Sequence, residues 1–248
     1  MGNNRTVLKS LIPTVLLSLL PTAARADTPP DLTGDWRLEL NGTNVVELPV
    51  IGTNKVRSHQ VMLVHVRGKS TPVQKHKVCS LDVFSDRSVI DTVIPKPWVA
   101  ALPDKEYPLV LEPTPDGGWS YKADLLPLRI GFDPALTNDE LPQDVDSPGV
   151  IDWDGDGKPA ATVYLDLSMF GNVEVYLVQA ANTMLEGRVE SADSVQGSML
   201  LPELRQRTIG ATNRLFVTNP QVIPYPPEST FSMVRVPTGS TCADLLKE

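Results

Sequence analysis

Apolar and polar residues alternate over short stretches of the chain, and turn signals interrupt them at regular intervals. A period of two marks a strand with one buried face, and the 3.6-residue period of an amphipathic helix is almost absent. Trp36, Leu38 and Leu40 share one face of a first strand, and Asn41-Gly42 predicts a hairpin turn into a second strand over 44–50. A strongly apolar strand covers 60–67, residues 68–72 turn it, and 73–84 returns beside it. Strands over 107–112 and 119–125 flank Pro115-Asp116-Gly117-Gly118, and strands over 162–169 and 173–180 flank Gly171-Asn172. Residues 184–190 pair naturally with 194–201, and 231–236 closes the series.

That pattern predicts an all-β chain of about ten to twelve short strands joined by hairpins, in an antiparallel barrel or sandwich. The 23 prolines agree, because proline breaks long helices and is confined to strand ends and edges. No repeat of propeller or solenoid length is present. The longest stretch without strand character runs from 133 to 150. It divides the strands into two groups, yet we expect a single domain over 27–248 with an acidic loop insertion at 133–157, because the two cysteines fall on either side of it.

Those cysteines, Cys79 and Cys242, are the only two. Neither lies in a C-x-x-C motif or a basic cluster, so a structural disulfide is expected rather than a reactive thiol. An oxidising compartment fits the start of the chain. Arg5 and Lys9 precede an apolar run over 11–20, and Ala24-Arg25-Ala26 supplies the small residues a signal peptidase requires. The run is about half the roughly 20 residues needed to span a bilayer. Residues 1–26 therefore read as a secretory signal peptide with cleavage after Ala26, which makes the mature chain secreted or periplasmic, with no transmembrane segment after processing.

Charge changes the picture in one place. The chain carries 22 basic and 30 acidic residues, a net charge of −8, and loss of residues 1–26 with Arg5, Lys9 and Arg25 makes it −11. A basic nucleic-acid binder is excluded. Between Asp133 and Asp156 there are eight carboxylates and no Lys or Arg, so one segment of 24 residues holds most of the imbalance. It ends in Asp152-Trp153-Asp154-Gly155-Asp156-Gly157-Lys158. Alternate carboxylates of D-x-D-x-D-G can converge on one hard cation while the glycines permit the sharp turn. Flexible oxygen ligands suit Ca²⁺ better than Zn²⁺ or Mg²⁺.

The motif resembles the calcium loops of EF-hands, dockerins, thrombospondin type 3 repeats and integrin-type propellers. That resemblance implies Asp152, Asp154, Asp156 and the Lys158 carbonyl as ligands. Val163 stands where an EF-hand has its bidentate Glu, and Ala160 stands where the propeller loops usually have Asp. Asp144 and Asp146 are the nearest candidates for the missing ligands, with Asp166 a weaker one. An incomplete set predicts a dissociation constant on the order of 10⁻⁴ to 10⁻³ M. The alternative is a hydrophilic turn that binds nothing. Residues 150–163 also look like a segment of uncharacterised exported bacterial proteins, which supplies context and no activity.

Gly34-Asp35-Trp36 opens the first strand and resembles the lipocalin entry motif, which implies a Trp closing one end of a barrel, Arg235 packed over it, and a carrier of a small apolar ligand. A core Trp at the start of a sheet is the simpler account. His59, His65 and His76 lack a third metal partner; only His65 and His76 can face one another, and solvated or hydrogen-bonded histidines are expected. No nucleophile elbow, zinc-protease, Walker or dinucleotide motif is present. A hydrolase using carboxylates such as Asp35, Asp82, Asp86 or Asp91 has no sequence signature to exclude it. We expect a non-enzymatic exported protein that binds Ca²⁺.

Overall fold

The computed structural model describes Gly2 and residues 28–48, 52–86, 91–167 and 171–247; apart from Gly2, residues 1–26, expected as a signal peptide, lie outside them. The chain is nearly all β. Its strands are β1 (Gly34–Leu48), β2 (Gly52–Arg67), β3 (Val73–Ser85), β4 (Asp91–Val93), β5 (Lys105–Pro113), β6 (Trp119–Ile130), β7 (Ala161–Leu167), β8 (Gly171–Ser191), β9 (Ser194–Ala211), β10 (Val222–Pro224) and β11 (Thr230–Arg235). Three short helices join them, α1 (Lys96–Ala101), α2 (Pro134–Thr137) and α3 (Cys242–Leu245).

All eleven strands belong to one antiparallel sheet. Its pairings return on themselves through β1, β2, β3, β5, β6, β8, β9 and β11, a closed ring of eight strands. Closure leaves these strands fewer unpaired edges than an open sheet would. β4 and β7 make a smaller closure on one side, β4 pairing β3 and β7, and β7 pairing β8. Each closure encloses its own apolar cluster. Trp36, Leu38, Leu40, Val64, Tyr121, Leu185 and Met233 pack together in one cluster, and Trp98 of α1, Ile130 of β6, Val163 of β7 and Val175 of β8 pack together in another.

Trp36 lies near the start of β1, in the ring's apolar cluster. Its indole is fully buried and donates to the Leu32 carbonyl at 2.8 Å. Arg235, its partner in the β1–β11 register, stacks 4.3 Å above the ring. The guanidinium also donates to the carbonyls of Thr33 and Ala192, so it ties the chain entering β1 to the turn between β8 and β9.

The register explains a second contact in the ring. Tyr121 on β6 faces Gly187 on β8, Gly187 faces Gly197 on β9, and Gly197 faces Phe231 on β11. With no side chains on the two middle strands, the Tyr121 and Phe231 rings meet, their centroids 5.5 Å apart.

Several sequence expectations need correction. Asn41-Gly42 is not a hairpin turn: β1 runs through it, pairing Asn41 with His59 and Gly42 with Ser58. Gly42 serves close approach, because a Cβ there would lie 2.7 Å from Ser58 Oγ. The strands expected over 173–180 and 184–190 are one strand of 21 residues, β8. β4, β10 and the extension of β9 beyond 201 had no clear alternation and were not expected. The expected disulfide is present, joining Cys79 on β3 to Cys242 at the start of α3 across 163 residues of sequence.

Candidate functional site

The acidic segment lies against the outer face of β8 and β9. Phe132, Val178, Ala180 and Ile209 form a third apolar cluster, and Leu141, Val145 and Val150 of the segment pack on it. Arginines from the sheet hold the segment's polar groups. Arg129 on β6 and Arg205 on β9 both pair with Asp139, and Arg207 donates to the Leu141 carbonyl at 2.9 Å. The Asp139 charge is thus met by one cation ten residues away and one 66 residues away.

At the end of the segment, Asp152, Asp154 and Asp156 each bring one carboxylate oxygen within 4.8 Å of the others. The loop's own amides organise them. Asp152 accepts from the N–H groups of Asp156 at 3.1 Å and Gly157 at 2.9 Å, and Asp156 accepts from Lys158 N–H at 2.9 Å. Gly155 and Gly157 take φ of 70° and 81°, a left-handed conformation that side chains rarely adopt.

Asp154 differs from its neighbours. The residue is only 8% exposed. Its Oδ2 accepts from the Thr162 N–H at 3.1 Å, but Oδ1 is buried with no hydrogen-bond partner. Burial raises the Asp154 pKa, and the charges of Asp156 and Asp152 push it the same way. A buried carboxylate oxygen without a donor is costly unless a proton or a cation meets it.

The other expected ligands are placed differently. Asp144 and Asp146 are not part of the cluster; Asp144 Oδ1 caps its own turn, accepting from Asp146 N–H at 3.1 Å and Ser147 Oγ at 3.0 Å. Asp166 lies near the far end of β7, opposite Asn172. The Lys158 ammonium pairs with Glu174 Oε1 at 2.7 Å and stands 3.8 Å from Asp156 Oδ2, so it competes in part for the position a cation would take.

The histidines do not gather. His59 and His65 approach Glu39 at 3.3 Å and Asp35 at 2.6 Å, while His76 turns into the ring and packs edge-on against Tyr107. Burial lowers the His76 pKa to about 3. Of the carboxylates considered for hydrolysis, Asp35 is engaged by His65 and by Gly239 N–H, and Asp86 pairs with Arg57.

The carrier alternative expects a cavity in the ring interior, but no sequence pattern named the residues that bound it. A cavity of about 400 Å³ lies there, bounded by Leu40, Met62, Val78, Leu128, Leu177 and Met199 among others and extending to Trp98 of α1. Gln60 on β2 and Gln179 on β8, four strands apart round the ring, also line it. The β6–β8 register shifts between Leu125 and Leu128, where Pro127 has no N–H to pair. Leu126 in that bulge lines the cavity and is 44% exposed, so the cavity reaches the surface there.

No family model matches the chain, and no curated protein matches it significantly. Among solved structures, DynF from the dynemicin biosynthesis pathway of Micromonospora chersina is similar over 95% of this chain and 94% of its own, with 11% identity and a TM-score of 0.36. A likeness that distant carries no functional argument.

Proposed function

We propose that this is an exported, non-enzymatic β-protein that binds one Ca²⁺ through Asp152, Asp154, Asp156 and the Lys158 carbonyl. The ion fastens the end of the acidic segment to the sheet. The observation that carries this reading is Asp154 Oδ1, buried and without a donor beside two further carboxylates. The disulfide supports export, since such bonds persist in oxidising compartments, and among the described residues no helix is long and apolar enough to cross a membrane. Titration calorimetry of Ca²⁺ into the mature protein is expected to give one site with a dissociation constant on the order of 10⁻⁴ to 10⁻³ M. Asp156→Ala is expected to abolish the heat. Equal heats from wild type and variant would defeat the proposal.

A second reading is favoured by the cavity: the ring carries a small, largely apolar ligand. Its volume falls within the range of roughly 300 to 1,000 Å³ common for small-molecule sites. The two readings are compatible, since the calcium loop lies outside the ring and the ligand inside. A neutral fluorescent probe such as N-phenyl-1-naphthylamine is expected to brighten on binding wild type. It is expected to stay dim with Ala181→Trp, which fills the cavity from β8.

A further inference from the structure

The cavity lining is selective in its charge. The chain has 30 carboxylates, yet among the described residues no Asp or Glu lines the cavity, and Lys105 is the one ammonium or guanidinium that does. Lys105 opens β5 and sits at the mouth: its Nζ donates to the Pro127 carbonyl at 3.0 Å, in the β6 bulge beside exposed Leu126. Lys55, Lys69, Lys75, Lys122, Lys158 and Lys247 each stand within ion-pair distance of a carboxylate. Among the described residues Lys105, like Lys77 and Lys96, has no carboxylate within ion-pair distance, and its partner is the neutral carbonyl. An apolar chamber with one uncompensated ammonium at its opening is complementary to a molecule with an apolar body and one anionic end.

We propose that the cavity takes a monocarboxylic acid with an apolar tail, the carboxylate held at the mouth by Lys105 and the tail lying among Met62, Leu128, Leu177 and Met199. This rests on the carrier reading and adds the chemical class of the ligand. The tail enters past Leu126, where the shifted β6–β8 register interrupts the ladder. The cavity of about 400 Å³ is large enough to take a tail of about ten carbons. A carboxylate bonded to an ammonium makes a charge-assisted hydrogen bond, and partial exposure at the mouth limits its worth to roughly five- to tenfold in affinity.

The test is displacement of N-phenyl-1-naphthylamine by decanoate and by 1-decanol at pH 8, in calcium-free buffer so that no calcium soap forms. Wild type is expected to bind decanoate about five to ten times more tightly than 1-decanol. Lys105→Met is expected to erase that preference while leaving 1-decanol unchanged. Lys105→Gln, which keeps a donor for the Pro127 carbonyl, serves as the second variant and is expected to behave alike. If 1-decanol binds as tightly as decanoate, or both variants keep the preference, the inference is overturned and the carrier reading stands. If neither molecule displaces the probe, or the probe binds Ala181→Trp as it does wild type, the carrier reading fails and takes the inference with it.

Discussion

At the scale of single residues, two buried side chains carry unmet electrostatic demands, and each gives a measurable sign. Asp154 holds a carboxylate oxygen away from water with no donor. Replacing it with Asn keeps an oxygen for the Thr162 N–H and removes the charge. Asp154→Asn is therefore expected to stabilise the calcium-free protein by about 1 kcal/mol, read as a higher midpoint in urea with chelator present. A carboxylate that cost nothing would give no change. His76 is the converse case, a base kept neutral by burial with a pKa near 3 against an ordinary 6.5. Below pH 6.5 the unfolded chain takes up a proton that the folded chain refuses. Stability is thus fully present above pH 6.5 and falls as the pH drops toward 3, by up to about 1.4 kcal/mol per pH unit. His76→Leu should lose several degrees less in melting temperature between pH 7 and pH 4.5 than wild type does. An equal loss would mean that His76 does not drive the acid limb.

At the scale of elements, turns were legible and long-range partners were not. Pro115-Asp116-Gly117-Gly118 sits between β5 and β6, which do pair, because a tight turn's chemistry is local to its residues; β7 and β8 pair as expected, but Gly171-Asn172 open β8 itself, opposite Leu167 and Asp166, and do not form the turn. Asn41-Gly42 carries the same signal and is overridden by fifteen residues of pairing between β1 and β2. Ala180-Ala181-Asn182-Thr183 breaks the alternation, which hid the continuity of β8, and the structure places a register shift there, between Asn182 and Met184. Gly187 and Gly197 are a demand no pattern announces. A Cβ on either would lie 2.2 Å from a backbone carbonyl oxygen of the facing strand. Gly197→Ala is expected to cost about 2 to 4 kcal/mol in urea unfolding by forcing β8 and β9 apart under Tyr121 and Phe231. A cost below about 0.5 kcal/mol would show that the strands yield easily.

At the scale of the whole molecule, the sequence disclosed the fold class, the cysteine pair and the aspartate cluster. Ring closure depends on pairings such as β1 with β11 and β3 with β5, which join residues remote in sequence. The cavity and the isolation of Lys105 exist only once the ring is closed. The charge concentrated at 133–156 was visible as composition, but the pairing of Asp139 with Arg129 and Arg205 and the bond from Arg207 to the Leu141 carbonyl were not, since two of those arginines come from more than 60 residues away. The disulfide acts at this scale too, because it staples α3 to a sheet strand across most of the described chain. Closing so long a loop is worth up to about 5 kcal/mol by chain entropy. Reduction is expected to lower the melting temperature by on the order of 10 °C, and an unchanged melt would show that the C-terminal helix contributes nothing to the fold.

The central claim, that a cation completes the aspartate cluster, is tested most directly by thermal melting of the mature wild type and Asp154→Asn in chelator and in 10 mM Ca²⁺. Mass action predicts that the ion raises the wild-type midpoint by about 5 °C and leaves Asp154→Asn unmoved. A wild-type midpoint that is the same in chelator and in Ca²⁺, or a variant that responds as fully as wild type, would contradict it.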